Sequence, residues 1–345
     1  MPKIKVLIVD DSAVVRQVLA RDLAKDPGIE VIGAAPDPFV AREMIIKNQP
    51  DVITLDVEMP RMDGITFLKK LMAQRPIPTI VLSSLTATGS RTAIEAMSAG
   101  AVEVLCKPSA AYSIANMGID LIARVKIAAR AKVSKRAEST APASTIAMAE
   151  TTDKIWAIGA STGGVQALTD VISQFPANAP GTVIVQHMPP KFTNSFAERL
   201  NTLCKVRVKE AQDGDTVLPG HVLLAPGGYH MVMKRSGARY YVSIIDGPMV
   251  HAVKPAVDIL FNSVAEVAGA NAIGAILTGM GCDGAAGLLK MRHAGARTIA
   301  QDEATSVVYG MPMEAMKIGA AEKAIPLHDV VRVMAHLTML RSIAA

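Results

Sequence analysis

The sequence predicts two α/β domains in series. Short β-branched runs alternate with amphipathic helical stretches up to about Lys126, and a second strand–helix pattern opens at Lys154. Between them, 128–153 is a texture of Ala, Ser, Thr, Lys and Glu with no period, which reads as a linker. The expected boundaries are 1–126, a linker at 127–152, and 153–345. With 345 residues the chain is long enough for two separate cores. Half of the residues are hydrophobic but only 3% are aromatic, so those cores must be aliphatic and Met-rich.

In the first domain, 5–9, 31–34, 52–55, 79–83 and 102–105 read as strands. Five such units with helices between them predict a parallel sheet covered on both faces. In the second domain the strand candidates are 154–159, 182–186, 206–209, 222–224, 231–233, 240–244, 272–278 and 297–300. They predict a doubly wound α/β fold with a mostly parallel sheet.

Composition narrows the class further. The formal net charge of +5 is mildly basic and has little diagnostic weight for nucleic acid. The opening apolar run is too short for a signal peptide and ends at Asp10-Asp11 without a small-residue cleavage site. The longest uncharged stretch, 171–190, is broken by Pro176 and Pro180 and has a polar end, so no transmembrane helix is expected. Cys106, Cys204 and Cys282 form no CxxC pair, which argues against a disulfide framework or a structural zinc site. A cytoplasmic protein is expected, with neither nucleic acid nor direct membrane insertion among its partners.

Chemistry in the first domain concentrates at strand ends. Asp10 and Asp11 follow the first strand, Asp56 ends the third, Ser83 ends the fourth and Lys107 follows the fifth. In an open parallel sheet these ends converge on one crevice. Clustered carboxylates suit Mg²⁺ with its retained waters, and a hydroxyl and a cation beside them suit a phosphoryl group. Each Asp taken singly is equally a loop cap; five polar residues at four strand ends are not. With Met59-Pro60, Asp63-Gly64 and Lys107-Pro108, this third of the chain resembles the response-regulator receiver family. The resemblance implies a flavodoxin-like fold with Asp56 as phosphoacceptor. It further implies Mg²⁺ held by Asp10, Asp11, Asp56 and the Glu58 backbone carbonyl, with Ser83 and Lys107 on the phosphoryl oxygens.

The second domain opens with a strand and then Gly159-Ala160-Ser161-Thr162-Gly163-Gly164. That turn alone fits either a phosphate cradle or an exposed nucleophile. The strand ends that follow favour the nucleophile: His187 closes 182–186, and Asp283 lies in the Gly-rich turn after 272–278. A serine needs a base, and the base needs a carboxylate to fix its tautomer. The chain order Ser, His, Asp differs from that of the α/β-hydrolases. His221, His230, His251, His293, His328 and His336 read as surface or core residues, with His230 bordering the site at most. Cys106 and Cys204 read as small apolar residues.

The same turn, together with Gln186-His187-Met188-Pro189-Pro190, Leu224-Ala225-Pro226-Gly227, Leu277-Thr278-Gly279-Met280-Gly281, Gln301-Asp302-Glu303 and Tyr309-Gly310-Met311-Pro312, resembles the chemotaxis protein-glutamate methylesterase (CheB) family over nearly all of 154–345. The resemblance implies Ser161 as nucleophile, His187 as base and acid, Asp283 as its orienting partner, and the Thr162 and Met280 amides as oxyanion donors. No cofactor is implied in the esterase site. Cys282, where that family is expected to carry a polar residue, is a departure that bears on substrate affinity. The implied substrates are methylated glutamates, and also glutamines, of methyl-accepting chemoreceptors. The implied phosphodonor is a chemotaxis histidine kinase, with recruitment to membrane receptor clusters. A receiver ahead of a hydrolase is expected to gate it.

Overall fold

A computed structural model describes residues 2–59, 62–84, 86–107, 114–133 and 153–340. Pro60, Pro108 and 134–152, the bulk of the expected linker, lie outside the described residues. The chain divides into two compact units, Met1–Ser139 and Thr140–Ala345.

Unit one alternates strands and helices: β1 (Ile4–Val9), α1 (Ala13–Leu23), β2 (Ile29–Ala35), α2 (Pro38–Asn48) and β3 (Val52–Asp56). It continues with α3 (Gly64–Gln74), β4 (Thr79–Ser83), α4 (Ala87–Ser98), β5 (Glu103–Cys106) and α5 (Ile114–Ala128). The five strands pair in parallel in the order β2-β1-β3-β4-β5. Both faces are covered, so β3 and β4 are buried at every position. Ser12, Asp37, Asp63 and Thr86 cap α1 to α4 by accepting backbone N–H bonds in the first turn.

Unit two begins with β6 (Ile155–Ala160), α6 (Gly164–Ile172), β7 (Gly181–Gln186), α7 (Phe192–Leu203), β8 (Arg207–Glu210) and β9 (His221–Leu224). A hairpin follows, β10 (His230–Ser236) and β11 (Arg239–Ile245), and then α8 (Val257–Ala268), β12 (Ala272–Ile276) and α9 (Ala285–His293). The unit closes with β13 (Arg297–Gln301), α10 (Met311–Lys317), β14 (Lys323–Ile325) and α11 (Val330–Met339). Seven strands form one sheet in the order β14-β13-β12-β6-β7-β9-β8, with every pair parallel. The hairpin β10–β11 is a separate antiparallel sheet.

The cores follow the composition. Leu and Ile fill unit one, whereas the fully buried aromatics Trp156, Phe175, Phe192, Phe196 and Phe261 all lie in unit two. Trp156, on β6, meets Phe175 edge-on at 5.0 Å and donates its indole N–H to Thr338 Oγ1 at 2.9 Å. Among the described residues no helix is long and apolar enough to cross a membrane.

Candidate active site

Each sheet reverses its strand order beside β1 in unit one and beside β6 in unit two, which opens a crevice at the strand C-termini. The candidate residues stand at those two openings.

In unit one, Asp10, Asp11 and Asp56 place carboxylate oxygens within 4.8 Å of one another. Asp10 and Asp56 are fully buried. The Lys107 ammonium lies 2.5 Å from Asp56 Oδ2 and 3.6 Å from Asp10 Oδ2. The shorter approach is a charge contact by distance, although its direction is not that of a hydrogen bond. Among the described residues Asp10 Oδ2 has no hydrogen-bond partner. Burial first, and then repulsion from Asp56 and Asp11, holds the Asp10 carboxyl above the usual carboxylate range despite Lys107. Burial opposes charge on Lys107, but the contact with Asp56 outweighs it and raises the ammonium's pKa. Two buried carboxylates and the exposed Asp11, with an orphaned acceptor and, among the described residues, the Lys107 ammonium as the cation paired to them, are short of positive charge. The donor set therefore fits a hard divalent ion such as Mg²⁺.

The neighbouring loops are tied to this pocket. Glu58 N–H donates to Asp56 Oδ1 at 2.9 Å, and Arg16 donates to the carbonyls of Asp10 and Asp11 at 2.7 and 3.0 Å. A Cβ on Gly64 would collide with the Asp56 carbonyl, so glycine lets α3 start against the end of β3. Ser83 Oγ donates to Gly89 O at 2.7 Å. Its hydroxyl is thus committed to α4.

In unit two the three chemical side chains follow three adjacent strands: Ser161 after β6, His187 after β7, and Asp283 in the turn after β12. Ala160 pairs with Gln186 in register, so Ser161 and His187 are the next pair outward, and His187 N–H donates to Ala160 O at 3.1 Å. His187 Nε2 lies 2.7 Å from Asp283 Oδ2. With that N–H donated to a carboxylate, Nδ1 is left as the basic nitrogen. Among the described residues, no hydrogen bond joins the Ser161 hydroxyl to the imidazole. Such contacts commonly tighten only when substrate is bound.

The carboxylate is held as firmly as the imidazole. Asp283 accepts from the backbone N–H groups of Val257 at 2.6 Å and Asp258 at 3.0 Å. It thereby caps α8, whose own N-cap Ala256 has no polar side chain to accept those bonds. Burial works to raise the Asp283 carboxyl, but His187 and these two amides prevail and hold it below the ordinary value. His230, almost fully buried, accepts from Ala256 N–H at 3.2 Å and donates to Pro248 O at 2.9 Å, which steadies the same helix start.

Close backbone approaches set the serine turn. Gly163 adopts φ +78°, and a Cβ there would meet Val307 Cβ at 2.5 Å. A Cβ on Gly279 would meet Ser161 Cβ at 2.7 Å. Ser161 itself is absent from the positive-φ residues, so this is not the strained elbow of an α/β-hydrolase. Gln186 Nε2 donates to Ser161 O at 2.9 Å, and Thr278 Oγ1 donates to Thr162 O at 3.0 Å. The backbone that presents Ser161 is therefore braced by β7 and by the turn after β12. The amides of Thr162 and Met280 belong to these two braced turns, one after β6 and one after β12.

Sequence reasoning missed Asp258, read His251 as a surface or core residue, and carried Gln186 and Thr278 within motifs without giving them a role. Asp258 accepts from Gly287 N–H at 2.6 Å and pairs with His251 Nε2 at 3.0 Å. Donor atoms of His251, Asp258 and Asp283 also converge within 4.8 Å. Those oxygens already accept from His251, His187 and three backbone amides, which makes the group a hydrogen-bonded network.

Comparisons with known proteins agree on both units. A family model described as CheB methylesterase matches residues 156–334, and one described as response regulator receiver domain matches 6–117. A Syntrophus aciditrophicus protein named protein-glutamate methylesterase/protein-glutamine glutaminase 2 is 56% identical over 96% of this chain and 98% of its own length. An Anaeromyxobacter dehalogenans protein named protein-glutamate methylesterase/protein-glutamine glutaminase 4 is 57% identical over 95% of this chain and 93% of its own. The crystal structure of the Thermotoga maritima CheB methylesterase catalytic domain superposes with a TM-score of 0.53 and 39% identity. It covers 54% of this chain and 99% of that one.

Proposed function

We propose, on the premise that this chain belongs to the CheB methylesterase family, that it is a protein-glutamate methylesterase and protein-glutamine glutaminase regulated by phosphorylation. The single observation that carries the reading is the His187–Asp283 pair, standing one strand on either side of Ser161 where the strand order reverses.

The chemistry follows from that pair. Ser161 Oγ attacks the γ-carbonyl of a methylated glutamate while His187 Nδ1 takes the hydroxyl proton. Asp283 stabilises the imidazolium, and the Thr162 and Met280 amides receive the oxyanion. The proton then passes to the departing methoxide and methanol leaves. Water, deprotonated by the same imidazole, releases the glutamate carboxylate from the acyl-enzyme. With glutamine as substrate the leaving group is ammonia. No step in this sequence calls for a cofactor.

In unit one, Asp56 accepts a phosphoryl group from a partner kinase. Asp10, Asp11, Asp56 and the Glu58 carbonyl would hold Mg²⁺, which would supply positive charge for the phosphoryl oxygens; Lys107 and a rotated Ser83 contact the same oxygens. The substrates are the helical signalling regions of methyl-accepting chemoreceptors, the donor is a chemotaxis histidine kinase, and the enzyme works in the cytoplasm at receptor clusters. Phosphorylation adds charge and acceptor oxygens at Asp56, which biases a two-state arrangement towards the active enzyme.

Methanol release from a methylated receptor tests the reading. The whole chain is expected to turn over faster with a small phosphodonor, Asp56→Asn is expected to lose that stimulation, and 153–345 alone should outpace the unphosphorylated chain. Methanol release at the uncatalysed rate under all conditions would overturn the assignment. Metal binding has its own test. Mg²⁺ at a hundred times its Kd should stabilise the parent by about 2.7 kcal/mol. Asp10→Asn should lack that increment, while its metal-free form is at least as stable as the metal-free parent because a buried, crowded charge is gone. A metal-free variant that melts well below the parent would refute the crowding argument.

A further inference from the structure

Beside the Ser161 site lies a second chain of nucleophile, imidazole and carboxylate that the esterase reaction does not use. Cys282 Sγ lies 3.7 Å from His251 Nδ1, within reach of a sulfur hydrogen bond. His251 Nε2 lies 3.0 Å from Asp258 Oδ2. Asp258 is buried, and its other oxygen accepts from Gly287 N–H at 2.6 Å, so the carboxylate cannot swing away. The bond to Asp258 places the imidazole proton on Nε2 and leaves Nδ1 as acceptor for the thiol proton. This is the connectivity that activates a cysteine: thiol to base, base to a fixed carboxylate.

The backbone is bent to build it. His251 and Ala252 have φ of 52° and 61°, both left-handed and both non-glycine. They form the tip of a tight turn closed by Val250 and Val253, which exchange hydrogen bonds of 3.1 and 3.0 Å. Cys282 is exposed, in contrast to Cys106, which is buried, and Cys204, which is half-buried; burial pushes both of those thiols up to about 11. The two chains of groups meet at the start of α8, where Asp258 N–H donates to Asp283 and the Asp258 side chain holds His251.

We propose that Cys282, His251 and Asp258 form a reactive-thiol site that takes soft electrophiles and hydroperoxides, and that modification at Cys282 suppresses the neighbouring esterase. The thiol proton moves to His251 Nδ1. The thiolate attacks one peroxide oxygen, the S–O bond forms as the O–O bond breaks, and sulfur loses two electrons to the peroxide. The departing hydroxide or alkoxide takes the proton from His251, leaving Cys282 as a sulfenic acid that a thiol reductant reverses. The added group sits one residue from Asp283, in the turn that aims that carboxylate at His187. The effect on turnover rests on the esterase reading, whereas the reactivity of the thiol does not.

The experiment uses the full-length protein. Iodoacetamide labelling at neutral pH is followed by peptide mass spectrometry at Cys282, Cys106 and Cys204, with glutathione as reference thiol. Cys282 is expected to react on the order of tenfold faster than glutathione, and His251→Gln, at an exposed turn, is expected to bring it back to the glutathione rate. Labelling of Cys282 no faster than glutathione, or unchanged in His251→Gln, would overturn the activated-thiol assignment. In parallel, methanol release is read before and after hydrogen peroxide and after a thiol reductant. The parent is expected to lose most of its rate and to recover it, and Cys282→Ala, scored against its own untreated rate, is expected to be insensitive. A parent that keeps its rate after peroxide, or a Cys282→Ala variant that loses it equally, overturns the suppression even where labelling is fast.

Discussion

Ser161→Ala is expected to lower methanol release by on the order of 10⁴-fold or more. The alanine removes the hydroxyl at the end of β6, next in register to His187 and in the turn that carries the Thr162 amide. The residual rate comes from whatever the amides do for direct attack by water. Stability should barely change. Among the described residues Ser161 Oγ makes no hydrogen bond; the contacts at this residue run through its backbone N–H and carbonyl. The expected signature is a collapse of kcat with an unchanged melting temperature. Turnover of the variant within tenfold of the parent would remove Ser161 from the mechanism.

Asp283→Asn is expected to cost about 10⁴-fold in kcat and, unlike the serine change, about 1–3 kcal/mol of stability. The carboxylate uses both oxygens as acceptors: Oδ1 for Asp258 N–H, and Oδ2 for Val257 N–H and His187. An asparagine has one acceptor oxygen. If its NH₂ faces His187, the imidazole turns to the tautomer with the proton on Nδ1 and can no longer take one from Ser161. If the NH₂ faces Asp258, a donor meets a donor at the start of α8. The pH dependence separates the charge from the shape. Although burial opposes it, the folded Asp283 carboxyl lies below its ordinary value because of His187 and the two amides. Its stabilisation is therefore complete above the unfolded carboxylate value and is lost as pH falls through the lowered one. Asp283→Asn should lack that acid-side loss, as read by denaturant unfolding across the acid range. A variant with parental stability and turnover would show that the helix start does not depend on the carboxylate.

Much of this arrangement was legible because strands announce themselves and function sits at their ends. Every strand expected in the two domains is present, with ends within two residues except at β10, which runs three residues past its expected end to Ser236, and Ser161, His187 and Asp283 each follow one. What the pattern could not show was partnership. Nothing in 231–233 and 240–244 says that these strands form their own hairpin sheet, because antiparallel pairing away from the main sheet leaves the same alternation. β14 has only three residues, too few to display a period. Asp258 lies inside the first turn of a helix and His251 in a left-handed turn without Gly or Asn, so neither carries a local signal. For Ser83, position in the sequence fixed the strand end but not the rotamer, and its hydroxyl bonds α4.

The chain has one tryptophan, the second residue of β6, shielded from water and packed edge-on against Phe175. Its emission consequently samples the hydrolase half alone, while the regulatory half is dark in the same window. A denaturant titration read once by indole fluorescence and once by far-ultraviolet circular dichroism thus resolves two melting events from a single unlabelled sample. Ligands acting on either half become separable without cutting the polypeptide.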